Sequence, residues 1–177
     1  MPLGDRKLTM DELGRVVPSA YSASLRHRVT VLLDDVRSRH NVGSVFRTAD
    51  AFGAEGIVLC GFTPHPPHRE IEKTALGATL SVPWNHEPQA LMAVRRLQAE
   101  GYRVVAVEQT AGAIALADFP WDQHQPIALV LGNELNGVSE PVVAACDAAL
   151  VVPQRGTKHS LNVSVCAGVV LYALTGR

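Results

Sequence analysis

Apolar and polar residues follow two periods along this chain. Short β-branched apolar runs at positions 29–36, 57–60, 104–107, 127–131 and 149–152 read as strands. The segments between them have helical period. Over 41–53, Val42, Val45, Phe46, Ala49 and Phe52 share one face, with Asn41 placed to cap the start and Gly53 to end it. Segments 68–76 and 87–100 follow, the second with the stripe Leu91, Val94 and Leu97. Ser139, with Pro141 behind it, opens a helix over 141–146, because proline is tolerated in a first turn. The last segment, 161–174, is apolar nearly all round, which predicts burial by the sheet, by a partner subunit, or by both. Strands and helices in alternation specify an α/β fold, a mostly parallel sheet flanked by helices. Residues 1–27 are instead polar, with a short helical pattern over 10–17 that opens at Thr9 or Asp11. They read as a surface arm ahead of one domain, 28–177.

Composition narrows the class. With 177 residues, 47% hydrophobic and 19% charged, the chain can bury one core and is too short for two full domains. Its 16 basic and 17 acidic side chains leave a net charge of −1, so any nucleic-acid contact must be local. Cys60, Cys146 and Cys166 lack CxxC spacing, sit in apolar runs, and read as buried thiols of a reducing compartment. No signal-peptide pattern or membrane-length apolar run is present, so the cytoplasm is the expected location and no membrane the expected partner.

Three polar islands stand at the ends of candidate strands, where open α/β sheets bind ligands. The first runs from Arg37 to Arg47. Around it Arg26, Arg28, Arg37, Arg39 and Arg47 face only Asp34 and Asp35, a local charge of +3. Asn41, Ser44 and Arg47 recur at three-residue spacing, either as a solvated helix face or as three side chains meeting one ligand. The second, Leu131-Gly-Asn-Glu-Leu-Asn-Gly-Val138, has the glycine spacing of a phosphate loop but Val138 where the lysine belongs. It is either an ordinary strand-to-helix turn or a close approach of backbone to ligand. The third, from Val152 to Asn162, is a polar loop in which Ser160 or Asn162 can cap the last helix.

Other chemistries fit less well. Prolines between His65 and His68 deny them the helical geometry of a zinc pair, no cysteine is near, and no metal is expected. There is no GxSxG elbow, and no GxGxxG follows the first strand.

In this order and spacing the three islands resemble the motifs of the SpoU (TrmH) family of RNA ribose 2′-O-methyltransferases, of the SPOUT class. The match runs from about Val29 to Tyr172. Asn41-Val-Gly-Ser-Val-Phe-Arg47 on to Gly53 is similar to the first motif, Leu131-Gly-Asn-Glu134-Leu-Asn-Gly137 to the second, and Val152-Pro153 with Ser160-Leu-Asn162 to the third. Lys73-Thr-Ala-Leu-Gly-Ala78 looks like the family's middle segment. The resemblance implies a C-terminal trefoil knot, S-adenosyl-L-methionine as cofactor, a homodimer with the site at its interface, and tRNA or rRNA as substrate, with the small size favouring tRNA. It also implies roles for residues. Arg47 would be the catalytic arginine, with Asn41, Glu134, Ser160 and Asn162 as its polar companions. Glu108, Leu131, Gly132, Asn133, Val152, Pro153, Ser160 and Leu161 would hold the cofactor. Arg26, Arg28, Arg37, Arg39 and Arg47 would hold RNA. Because a guanidinium resists deprotonation, Arg47 is read two ways, as a base tuned by its site or as a phosphate and ribose clamp. The alternative reading is a catalytically silent RNA-binding dimer of the same fold.

Overall fold

In a computed structural model, which describes residues 6–9, 11–14, 27–158 and 160–176, seven strands form one sheet in which every neighbouring pair is parallel. They are β1 (His27–Asp34), β2 (Ala54–Cys60), β3 (Trp84–Glu87), β4 (Arg103–Val107), β5 (Ile114–Ala115), β6 (Ile127–Leu131) and β7 (Ala148–Val151), in the order β3-β2-β1-β6-β4-β7-β5. The late strands β6 and β7 enter between earlier ones, β1 and β4 for the first, β4 and β5 for the second. The helices are α1 (Arg39–Ala51), α2 (Arg69–Ala75), α3 (Ala78–Ser81), α4 (Ala90–Ala99), α5 (Glu140–Ala145) and α6 (Val163–Thr175).

Side-chain alternation along the strands makes two cores. Val29, Val31 and Leu33 of β1, with Ile127, Leu129 and Leu131 of β6, pack beneath α1, α2 and α6. Leu32, Ala128 and Val130 point the other way, onto α4 and α5. Each fully buried side chain of this size contributes about 1.5–3 kcal/mol. Gly43 lets α1 and α2 approach closely, since a Cβ there would overlap Thr74 Oγ1 and the Ile71 carbonyl oxygen.

The expected α/β fold is present, with several boundaries moved. The first helix begins at Arg39, because Ser38 rather than Asn41 is its cap and accepts from the Asn41 amide at 3.2 Å. The helix expected from 87 begins at Ala90: proline at 88 holds Glu87 extended, and residues 84–87 form an edge strand instead. Asn162 caps the last helix, its Oδ1 accepting from Ser164 N at 3.0 Å and Val165 N at 3.4 Å. That helix is buried along one side only. Val163, Ala167, Val170, Leu171 and Leu174 face inward, while Val165, Val169 and Tyr172 are exposed. Of the cysteines, Cys60 is buried and the other two are half-buried. In the N-terminal arm Thr9 and Glu12 bond reciprocally around one turn, so Thr9 opens it; residues 15–26, with Arg26, lie outside the described residues. Among the described residues no helix is long and apolar enough to cross a membrane.

Candidate active site

A cleft of about 550 Å3 lies at the carboxyl ends of β4, β6 and β7, between the loops that leave those strands. The loop after β6 is its most constrained wall. Asn133 and Gly137 exchange backbone hydrogen bonds at 2.9 Å, closing a small ring, and Asn133 Oδ1 accepts from the Leu135 and Asn136 amides inside it. Gly137 has φ of +69°, which suits glycine. At Gly132 a Cβ would overlap the Gly137 carbonyl carbon and the Val138 nitrogen, so only glycine fits there. The second polar island is thus a tight, glycine-dependent turn whose residues line the cleft.

Glu134 at the tip of this loop ties it to α1. Its carboxylate accepts from the Arg37 and Ser38 amides, both at 3.1 Å, and from Asn41 Nδ2 at 3.0 Å. Partial burial pushes its pKa up, but these donors outweigh it and hold it below the usual 4.5. The first turn of α1 has no acidic residue of its own, and Glu134 supplies the negative charge from outside. Glu134 therefore braces the loop against the start of α1. Asn162 Nδ2 then donates to Asn41 Oδ1 at 3.1 Å, so Glu134, Asn41 and Asn162, from all three islands, form one chain of bonds.

Across the cleft, Glu108 Oε2 accepts from Val138 N at 2.9 Å and Oε1 from Gln109 N at 2.8 Å, joining the ends of β4 and β6. Cys166, one turn into α6 from Asn162, also lines the cleft. Burial, with the Glu108 charge adding to it, pushes its thiol up to about 11, so it stays protonated and is no nucleophile at neutral pH. Among the described lining residues Glu108 and Glu134 are the only charged side chains.

Of the expected residues, Glu108, Leu131, Gly132, Asn133, Glu134, Val152, Ser160, Leu161 and Asn162 line the cleft, and Asn41 joins it through its hydrogen bonds. Pro153 is exposed beside the lining and outside it. Arg47 is also outside: it is exposed on α1, about 9 Å further along the axis than Asn41 at 1.5 Å per residue, with no hydrogen-bond or ion-pair partner among the described residues. The basic island is dispersed. Arg28 stands at the amino end of β1 and Arg37 beyond its carboxyl end, while Arg39 approaches Glu70 at 3.6 Å. Cys166 and Gln154, which pattern reading passed over, also line the cleft; the four-residue step from Asn162 to Cys166 on one helix was the available signal.

A parallel α/β sheet with a glycine-lined, carboxylate-braced cleft at its carboxyl edge has the architecture of a small-molecule-binding fold. The model of the SpoU rRNA methylase family matches residues 28–172, and the chain belongs to that family. An uncharacterized tRNA/rRNA methyltransferase of Synechocystis sp. is 34% identical over 166 residues, 92% of this chain and 41% of the relative. A 23S rRNA (guanosine-2′-O-)-methyltransferase of Ralstonia nicotianae is 34% identical over 143 residues, 80% of this chain and 56% of the relative. Among solved structures, the AdoMet-bound rRNA methyltransferase of Sinorhizobium meliloti superposes with a TM-score of 0.78 at 29% identity, covering 87% of this chain and 59% of that one. The chain spans about half the length of these curated relatives.

Proposed function

We propose that the chain is an S-adenosylmethionine-dependent methyltransferase acting on a ribose 2′-hydroxyl of tRNA or rRNA, as a homodimer in the cytoplasm. Residues 28–177 would form the methyltransferase domain and 1–27 an arm. The observation that carries this reading is the charge of the cleft: two carboxylates and no cation among its described lining residues. Such a lining repels the phosphates of a nucleotide cofactor and favours a cationic ligand. When bound, S-adenosylmethionine supplies a methyl group activated by a sulfonium charge. The relatives support the assignment, one by its 2′-O activity and one by its AdoMet-bound form.

The residues fit that group. Backbone at Gly132, Val152 and Leu161 would hold its polar edges, and Leu131, Leu150 and Val163 offer an apolar wall. Asn133 and Pro153 would shape the rim, and Glu108 would face the cationic part. Asn41, Glu134, Ser160 and Asn162 would orient the ribose. Arg47 would act on the substrate from the surface of α1, as clamp or as proton acceptor, with Arg37 and Arg39 on flanking phosphates and Arg26 and Arg28 further along the RNA. The exposed stripe Val165, Val169 and Tyr172 would be covered by the second copy. Entry of β7 between β4 and β5 supports the knotted C-terminal part that the resemblance implies.

Calorimetric titration with S-adenosylmethionine and S-adenosylhomocysteine, followed by transfer of a labelled methyl group to bulk tRNA and rRNA with mass spectrometry of the nucleosides, tests the reading. Binding and a 2′-O-methylated nucleoside are expected. Binding without transfer to either RNA favours the silent RNA-binding dimer, and no binding overturns the cofactor assignment.

A further inference from the structure

Phe62 is the most exposed large apolar residue among those described, at 85% of its surface, yet its backbone is tied down by a side chain. It follows Gly61 at the carboxyl end of β2. Its amide donates to Asp35 Oδ1 at 2.7 Å, while His86 Nε2 sits 3.0 Å from the Gly61 carbonyl oxygen on the other side. The next residue, Thr63, is buried, donating to the Leu33 carbonyl at 3.2 Å and accepting from Val36 N at 3.0 Å. Asp35 itself has φ of +54°, the left-handed region that aspartate enters more readily than most residues other than glycine. A Cβ on Gly61 would overlap Asp35 Oδ1, so this approach also requires glycine. Asp35 in turn accepts on its carbonyl from Asn133 Nδ2 at 2.7 Å. One residue thus fastens the Phe62 loop to the loop that walls the cleft.

A lone exposed phenylalanine is common and by itself carries nothing. This one is presented by a doubly braced loop on the same sheet edge as the cleft. Only β1 separates β2 from β6, so Phe62 stands about 10 Å to the side of the cleft wall, two strand spacings away. Arg37, exposed, lies on the stretch between them. A rigidly held ring loses little freedom when another flat group stacks on it, and every base has a π-face.

We propose that Phe62 is a stacking platform for a base flanking the nucleotide to be modified, which makes it a positioning residue. The inference rests on the RNA reading given above.

The test measures binding of a ten-nucleotide oligoadenylate carrying one 2-aminopurine, at low salt and saturating S-adenosylhomocysteine, by anisotropy and by quenching of the 2-aminopurine. Phe62→Leu keeps the bulk and removes the π-face. It is expected to weaken binding about 5- to 150-fold, the equivalent of about 1–3 kcal/mol per stacked base, and to abolish quenching. Phe62→Tyr is expected to retain both. Affinity for S-adenosylhomocysteine and the molar mass by light scattering should stay unchanged in both variants. Wild-type binding and quenching by Phe62→Leu overturns the platform, as does a change in its cofactor affinity or molar mass, which would make the ring structural. A wild-type protein indifferent to the oligonucleotide and to bulk tRNA and rRNA overturns the RNA reading itself, and the platform with it.

Discussion

The two ends of α1 are built differently. At its amino end Ser38, Asn41, Glu134 and Asn162 are locked into one hydrogen-bonded chain that closes the cleft. Two turns further on, Arg47 is exposed with no polar partner among the described residues. α6 runs alongside, with Gly168 near Thr48 and Tyr172 edge-on to Phe52 at 5.9 Å, and presents an uncovered apolar stripe. The cleft is lined by residues of one chain, whereas Arg47 and the α6 stripe are exposed in it. On the proposed reading, cofactor recognition and substrate handling fall on different surfaces, and substitutions should divide between them.

The sharpest division is expected from Arg47→Ala. Turnover on RNA should fall by about 10²–10⁴-fold, while S-adenosylmethionine affinity by calorimetry stays close to wild type. A comparable loss of cofactor affinity would break the comparison, because it would place Arg47 in the cleft. Gly132→Ala should act in the opposite sense: its Cβ forces the loop at Gly137 and Val138 apart, and cofactor affinity should drop about 10- to 100-fold with the far-ultraviolet spectrum unchanged. Val169→Glu places a charge in the middle of the α6 stripe without touching the cleft. Light scattering should show self-association weakened about tenfold or more, and cofactor affinity should hold if the cleft is complete in one chain.

Asn162 spans both regions, and two substitutions separate its roles. Asn162→Ala removes the α6 cap and should cost about 1 kcal/mol, a fall in Tm of about 2–4 °C. Asn162→Asp keeps a capping oxygen and should melt near wild type, yet it loses the donor to Asn41 and should weaken cofactor binding as the alanine does. Equal melting temperatures for the two variants would mean that the cap contributes little.

Local chemistry made parts of this legible in advance. The five-residue apolar run at 127–131, bounded by Pro126 and Gly132, reads as a buried strand, and β6 has those bounds. β3 was not legible: Trp84-Asn-His-Glu87 has neither alternation nor β-branching, and it is a strand because β2 offers it a free edge. Ser38 and Asn41 are both good caps, and sequence could not choose between them. The arginine island looked continuous because sequence distance hides the length of β1, about 26 Å over eight residues at 3.3 Å each. The bonds from Asn41 to Glu134 and Asn162 join residues 93 and 121 positions apart. No periodicity predicts such pairs; the ordered resemblance of three motifs grouped these residues without pairing them.

The smallest expected effect comes from acid. Glu134 is held below its ordinary carboxylate value because its charged form accepts the Arg37, Ser38 and Asn41 donors in the folded chain and loses them on unfolding. The stabilisation this gives is therefore fully present above about pH 4.5 and disappears as pH falls below that value through the lower folded one. Because Glu134 is largely exposed, solvent screens the effect and it should be modest. Glu134→Gln offers one acceptor where two were used and turns an amide donor towards other donors, so it should melt below wild type at pH 7. Both proteins carry the same other carboxylates, which makes the gap between their melting temperatures the readout. That gap should be flat from pH 7 to about 5 and close towards pH 3. A gap that persists at low pH would mean that the brace works by shape rather than charge, and the amino end of α1 would then be held by packing, as its far half is.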